Sequence, residues 1–320
     1  MKNVLIIGST GQIGSELTLK LRNIYGGDNI IAGYIPGAEP KGALLESGPS
    51  AIVNICDPKE IADTVRKYKV DTIYNLAALL SAVAEKKPQL AWKIGMDGLF
   101  NVLEVAREEH CGVFTPSSIG SFGNNSPKDQ TPQDTIQRPK TIYGVTKVSG
   151  ELLSDYYYHR FGVETRSVRF PGLISYVTLP GGGTTDYAVD IYYSAAKGEK
   201  FICPIQKGTF MDMMYMPDAL RASIEVMEAD GSRLIHHNAF NIASFSIAPE
   251  TVFNKIKEYK PSFEMEYQVD PLRQSIAESW PNSMDDSCAR QEWDWKPEYD
   301  LDTMTRDMLE KLQTRYSTNV

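Results

Sequence analysis

The chain of 320 residues is 42% hydrophobic and 23% charged, a globular makeup long enough to bury a substantial core as one large domain or two smaller ones. A net charge of −8 without a basic cluster argues against nucleic-acid partners, and no apolar run approaches the roughly 18 residues of a membrane span. Four scattered cysteines and four histidines, His236 and His237 adjacent among them, make no CxxC, HExxH or helical i,i+4 pair, so neither a disulfide framework nor a metal site is expected.

An apolar run begins directly after Met1-Lys2-Asn3 and leaves no room for a secretory leader. A soluble protein of the cytoplasm, or of the mitochondrial matrix in a eukaryote, is the expectation. Strand candidates at Asn3–Ile7, Ile30–Gly33, Thr72–Asn75, Val113–Pro116 and Thr165–Phe170 alternate with helix-length amphipathic stretches. This alternation predicts βαβ units and an α/β fold with a doubly wound parallel sheet.

After the first strand comes Gly8-Ser9-Thr10-Gly11-Gln12-Ile13-Gly14, a GxxGxxG turn leading into a helix over Ser15–Asn23. Glycines there permit a tight turn, close approach of a pyrophosphate to backbone N–H groups, and close packing of helix on strand. The helix N-terminus adds partial positive charge. Such a strand, turn and helix predict a Rossmann-type dinucleotide site. The second strand should end in an acid for the adenosine ribose, but Tyr34 stands there, a residue that either stacks on or hydrogen-bonds the adenosine or serves packing. The nearest base is Lys41, too far along to mark a 2′-phosphate pocket, so NAD is favoured over NADP. Asp57 follows a third short strand, where a carboxylate either accepts from the adenine amino group or caps the helix that begins at Pro58.

Asn75-Leu76-Ala77-Ala78 ends the next strand at the carboxyl edge of the sheet, where small residues let a cofactor lie against the backbone. Leu80 and Ser81 then begin a loop able to face nicotinamide and substrate together. Further on, Ser117-Ser118 ends the strand at Val113–Pro116, and Tyr143-Gly144-Val145-Thr146-Lys147 puts a phenol and an ammonium on one helix face. Oxidation of an alcohol needs a proton acceptor beside the hydride acceptor. A tyrosine of depressed pKa, tuned by Lys147, suits that task, with Ser118 holding the alcohol oxygen. A second match of the same spacing, Tyr193 to Lys197, lies outside the nucleotide-binding half and reads as core or interface. Pro171 and Ile174, in Pro171-Gly172-Leu173-Ile174, end another strand where the chain either turns beneath the nicotinamide carboxamide or makes an ordinary strand-terminating turn.

After Pro171 the pattern changes, with Gly181-Gly182-Gly183, a helical stretch over Asp186–Lys197 and several Pro-punctuated segments. The reading is a dinucleotide-binding domain over residues 1–175 and a smaller substrate-binding lobe over 176–320. Segments near 205–230 pack back on the first domain, where Met216-Pro217-Asp218 opens a helix.

In order and spacing, GxxGxxG, Asn75-Leu76-Ala77-Ala78, Ser118 and Tyr143-x-x-x-Lys147 resemble the extended short-chain dehydrogenase/reductase family, which includes UDP-galactose 4-epimerase. Second-lobe segments are similar to the short-chain type of L-threonine 3-dehydrogenases: Gly181-Gly182-Gly183-Thr184-Thr185-Asp186, Phe210 to Asp218, Ser279-Trp280-Pro281 and Asp294-Trp295. The resemblance implies NAD-dependent oxidation of an amino-acid substrate at its 3-hydroxyl. It further implies Tyr143 as base, Ser118 as anchor, Lys147 as modulator, and a pocket lined by Ser81, Thr184, Thr185 and Trp280. It also implies a homodimer through helices at Leu90–Glu108 and Tyr143–Phe161. Two other readings share the first lobe. A sugar-nucleotide epimerase or dehydratase would need a basic pyrophosphate anchor, for which only Arg273 and Arg290 offer themselves. A non-enzymatic NAD sensor would have no use for the Tyr/Lys pair.

Overall fold

Four of the expected runs form strands in order, β1 (Val4–Ile7), β2 (Ile30–Tyr34), β4 (Thr72–Asn75) and β5 (Gly112–Phe114), and β3 (Ser50–Ile52), the short strand ahead of Asp57, falls between β2 and β4. In this computed structural model, which describes residues 1–179 and 181–317, β6 (Ser117–Ser118), β7 (Thr165–Arg166), β8 (Val168–Phe170) and β9 (Gly172–Ile174) follow. The main sheet is six-stranded and parallel throughout, in the order β3-β2-β1-β4-β5-β7. The winding direction reverses between β1 and β4. Crevices at the carboxyl ends of strands at such a reversal are where doubly wound folds bind ligands.

Burial on both faces is why these strands read as continuous apolar runs. Along β1, Val4 and Ile6 join a cluster with Leu17, Leu21, Phe114 and Trp295, while Leu5 and Ile7 join another with Ile31, Ile73 and Leu103. That is the two-residue period of a strand. The helix Gln12–Tyr25 buries Gly14, Leu17, Thr18, Leu21 and Arg22, the spacing of one helical face.

Two expected strands are each divided. The run at Val113–Pro116 becomes β5 and β6 with Thr115-Pro116 between them, because a proline nitrogen donates nothing to a ladder. The run at Thr165–Phe170 breaks at Ser167, whose N–H donates to His237 O and whose carbonyl accepts from Phe240 N. From there β8 pairs in parallel with β6 on one side and with Phe240–Asn241 on the other. Beyond it, β9 pairs with Met211–Tyr215.

A third cluster joins Ile174 and the helix Tyr187–Lys197 to Met211, Met213, Ile256, Met304 and Leu312. The helix Met216–Glu228 instead contributes Ala219 and Leu220 to the cluster around Val4 and Leu17, and Tyr74 Oη donates to Ser223 O. Asp218 is buried near its start and accepts from the backbone N–H groups of Glu298 and Tyr299. Among the described residues, no helix is long and apolar enough to cross a membrane.

Candidate active site

Parallel register brings the ends of β1, β2 and β4 level, with Ile7 paired to both Gly33 and Asn75. Gly8 leaves β1 with φ +84°, a left-handed conformation that a side chain disfavours, and its N–H and that of Ser9 donate to Gly33 O. At Gly14 a Cβ would stand 2.2 Å from Gly8 O, so only glycine lets the helix close down on the turn. Gln12 and Ile13 of this turn line a cleft of about 800 Å³; Gly8, Thr10, Gly11 and Gly14 do not line it. The Gln12 Nε2 is buried with no hydrogen-bond partner, a donor left for an acceptor outside the chain. A bare helix N-terminus, a turn without side chains and an unpaired amide together fit a pyrophosphate-bearing cofactor.

The same cleft gathers most of the residues singled out in the sequence. Leu76, Ala78 and Pro171 line it together with Gln12 and Ile13, and so do Leu80, Ser81, Thr184, Thr185 and Trp280. Ser118, Tyr143 and Lys147 line it too. An adjoining cavity of about 600 Å³ shares Leu76, Ala78, Tyr143 and Lys147 and adds Ala77. Besides the four turn residues, three expected residues lie outside the cleft and the adjoining cavity. Ile174 is fully buried in the third cluster, and its neighbour Leu173 faces the cleft instead. Tyr34 ends β2 half-buried. Asp57 caps the helix Pro58–Tyr68, its Oδ1 accepting from Lys59 N at 2.9 Å.

Tyr143 and Lys147 ride the first turns of the helix Ile142–Phe161, which Thr141 starts by accepting from Gly144 N at 3.0 Å. Lys147 Nζ donates to Pro116 O at 2.7 Å and lies 5.5 Å from the Tyr143 ring centre. Withdrawal from water pushes the ammonium down to about 8, opposed by the nearby Glu151 carboxylate. For the phenol the expectation of a depressed pKa is corrected: desolvation in the cleft raises it, and only the hydrogen bond with Ser118 works downward. Ser118 Oγ also accepts from Gly120 N at 3.1 Å. In the same cleft, Ser81 Oγ and Thr184 Oγ1 share a hydrogen bond of 3.2 Å, both buried.

Several site residues escaped sequence reading. Asp186, read only as a helix start and as part of the Gly181–Asp186 segment and given no role, lines the cleft, accepts from Gly182 and Gly183 N–H groups and is pushed up to about 6 by burial. Gly120 packs against the Tyr143 ring. Glu151 lines the adjoining cavity, and its signal was available, since Tyr143, Lys147 and Glu151 repeat at one-turn spacing on a single helix. Outside the cleft, folding assembles His236, Cys288 and Glu292 with potential donor atoms within 4.8 Å, a grouping no sequence spacing announced. Both Glu292 oxygens are engaged there by His236 Nδ1 and by the N–H groups of Ile235 and His236.

Residues 4–243 match the model of the NAD dependent epimerase/dehydratase family. The chain belongs to this family. It is 54% identical over 320 residues, all of both chains, to an uncharacterised epimerase/dehydratase of Staphylococcus saprophyticus. Among solved structures it resembles an L-threonine dehydrogenase of Clostridium difficile, with 59% identity, 98% of each chain covered and a TM-score of 0.95. A GalE-like L-threonine dehydrogenase of Cupriavidus necator in its holo form is 46% identical, covering 97% of this chain and 99% of its own, with a TM-score of 0.93. The family's cofactor is NAD, and the glycine turn, the Gln12 amide and the Leu76–Ala78 edge are the residues suited to hold it in this epimerase/dehydratase relative.

Proposed function

We propose that the protein is an NAD-dependent L-threonine 3-dehydrogenase, oxidising the 3-hydroxyl to give L-2-amino-3-ketobutyrate on the route from threonine to glycine and acetyl-CoA. The observation that carries this reading is the one cleft that Ser118, Tyr143 and Lys147 line together with Ser81, Thr184, Thr185 and Trp280. Resemblance along nearly the whole chain to L-threonine dehydrogenases supports the same choice.

Bound NAD⁺ supplies the hydride acceptor. Ser118 Oγ and the Tyr143 phenol hold the alcohol oxygen, and the ionised phenol takes the hydroxyl proton as the C3–H bond breaks. Lys147 favours that ionisation electrostatically and would bind the ribose hydroxyls. Ser81, Thr184 and Thr185 offer hydroxyls to the zwitterion, the Asp186 carboxylate suits its ammonium, and Trp280 closes the pocket against water. At the far end, Tyr34 and the free oxygen of Asp57 take the adenosine. Leu90, Trp92 and Phe100 on one exposed helical run, with Leu152, Tyr156 and Phe161 on the next, supply an apolar face for a homodimer.

The test is a substrate panel with NAD⁺ and NADP⁺ in parallel, read by NADH absorbance. L-Threonine with NAD⁺ is expected to give a steady rise that Tyr143→Phe abolishes. A flat trace at every pH overturns the reading, and turnover of UDP-galactose without net NADH replaces it with an epimerase.

A further inference from the structure

Glu151 is a buried carboxylate that the proposed chemistry leaves unused. Its side chain and that of Arg169 are only 4% and 6% exposed, and they form a two-point ion pair with Nη2 to Oε2 at 2.8 Å and Nε to Oε1 at 3.0 Å. Gln137 Nε2 donates to Oε2 at 2.9 Å, and Ser117 Oγ donates to Oε1. Three of its surroundings belong to the site. Ser117 precedes Ser118 on β6, Arg169 precedes Phe170 and Pro171 in the cleft wall, and Lys147 lies one turn back on the same helix. The adjoining cavity touches Tyr143, Lys147 and Glu151 together.

We propose that Glu151, held by Arg169, is a positioning residue that keeps the Lys147 amine charged beside Tyr143 in a site that would otherwise strip its proton. This inference rests on the role given to Lys147 in the proposed function. An ammonium withdrawn from water loses its proton more easily, and a fixed negative charge one turn away opposes that loss. The downward push on Lys147 and the upward contribution of Glu151 agree with this arrangement. Among residues lining the two cavities, the ionisable ones are Tyr143, Lys147, Glu151 and Asp186. Arg169 stands behind Glu151, and Asp155, near His159 and His237, lies one further turn along. Arg169 brings a counter-charge, so the pair sets a balance, and removing either member tips it in opposite directions.

The experiment titrates Lys147 directly in protein carrying carbon-13-labelled lysine, without NAD or substrate, its signal assigned by its loss in Lys147→Arg. Glu151→Gln leaves Arg169 uncompensated and is expected to lower the Lys147 pKa by about one pH unit or more. Arg169→Gln leaves the carboxylate uncompensated and is expected to raise it, and Glu151→Asp, which keeps the charge, is expected to stay near wild type. Melting transitions check folding. If Glu151→Gln does not fold, the comparison of Arg169→Gln with Glu151→Asp carries the test. Movement in the same direction for Glu151→Gln and Arg169→Gln, or none for Arg169→Gln, overturns the inference, since a merely structural pair has no reason to give opposite signs. Because no threonine enters the measurement, a protein inactive on threonine sinks the proposed function alone. An active enzyme whose Lys147 ignores both substitutions sinks this inference alone.

Discussion

A carbon placed on Gly120 would stand 3.0 Å from Cε1 of Tyr143, with Ser118 Oγ only 3.4 Å away. The phenol therefore rests against bare backbone, and any side chain at Gly120 displaces the ring or the loop. Gly120→Ala is expected to lower kcat on L-threonine about tenfold or more, equivalent to roughly 1.4 kcal/mol of transition-state stabilisation. NAD⁺ affinity should change less than about twofold, since the glycine turn is untouched. Steady-state kinetics with a binding titration check both, and an unchanged kcat shows that the ring tolerates displacement.

The pH profile follows from the phenol. Because desolvation raises Tyr143, its ionised fraction is small near neutrality and grows with pH, so kcat/KM is expected to climb by up to about tenfold per pH unit on the acid side. Loss of the Lys147 proton, placed at about 8 by burial, bends the profile over at the alkaline side. The two groups titrate as a coupled pair, and the profile reports the pair. A rate independent of pH contradicts this assignment.

Ser81→Ala removes the hydroxyl bonded to Thr184 Oγ1 at 3.2 Å. The expected result is KM for L-threonine raised by about fivefold, with KM for NAD⁺ nearly unchanged, because a neutral hydrogen bond is worth on the order of 1 kcal/mol. Equal effects on both constants would place Ser81 outside the amino-acid pocket.

Leu152 is 64% exposed on the apolar helical face assigned to self-association. Leu152→Asp costs the single chain little and buries a charge only in a dimer. Sedimentation is expected to show a dimer for wild type and a monomer for the variant. A wild-type monomer at working concentrations removes the dimer.

Stability should carry the mark of Asp212, whose carboxyl is pushed from 3.8 up to about 7 by burial, the Met284 N–H bond pulling the other way. Between those values the native state retains a proton that the unfolded chain has released. Its contribution is therefore fully present below the unfolded pKa and lost as pH rises through about 7. Tm of wild type is expected to fall more between about pH 5 and pH 8 than Tm of Asp212→Asn, which keeps an acceptor for Met284 without the ionisation. Parallel melting curves at the two pH values decide.

Much of this site could be read along the chain because its signals are local. The glycine turn and the Tyr143–Lys147 spacing each sit within one turn or one strand end, and backbone geometry is set within a few residues. The second Tyr–Lys match shows where local reading stops. Tyr193 has the same spacing, but its ring is buried and its hydroxyl donates to Tyr176 O at 2.7 Å. Its place along the chain already set it apart from Tyr143, and its packing agrees.

What the order of residues determined by itself was the alternation of strands and helices, the glycine turn, and the placement of hydroxyl, phenol and amine relative to their own elements. Those depend on periodicity and steric limits that act over a few residues. Tertiary structure alone decided that Ser81 meets Thr184, that Asp186 turns into the cleft, that Gly120 supports the phenol and that Glu151 pairs with Arg169. Each of these joins residues distant or unremarkable in sequence. Their proximity, and the loss of water that shifts Tyr143 and Lys147 in opposite directions, exists only once the sheet has closed over them.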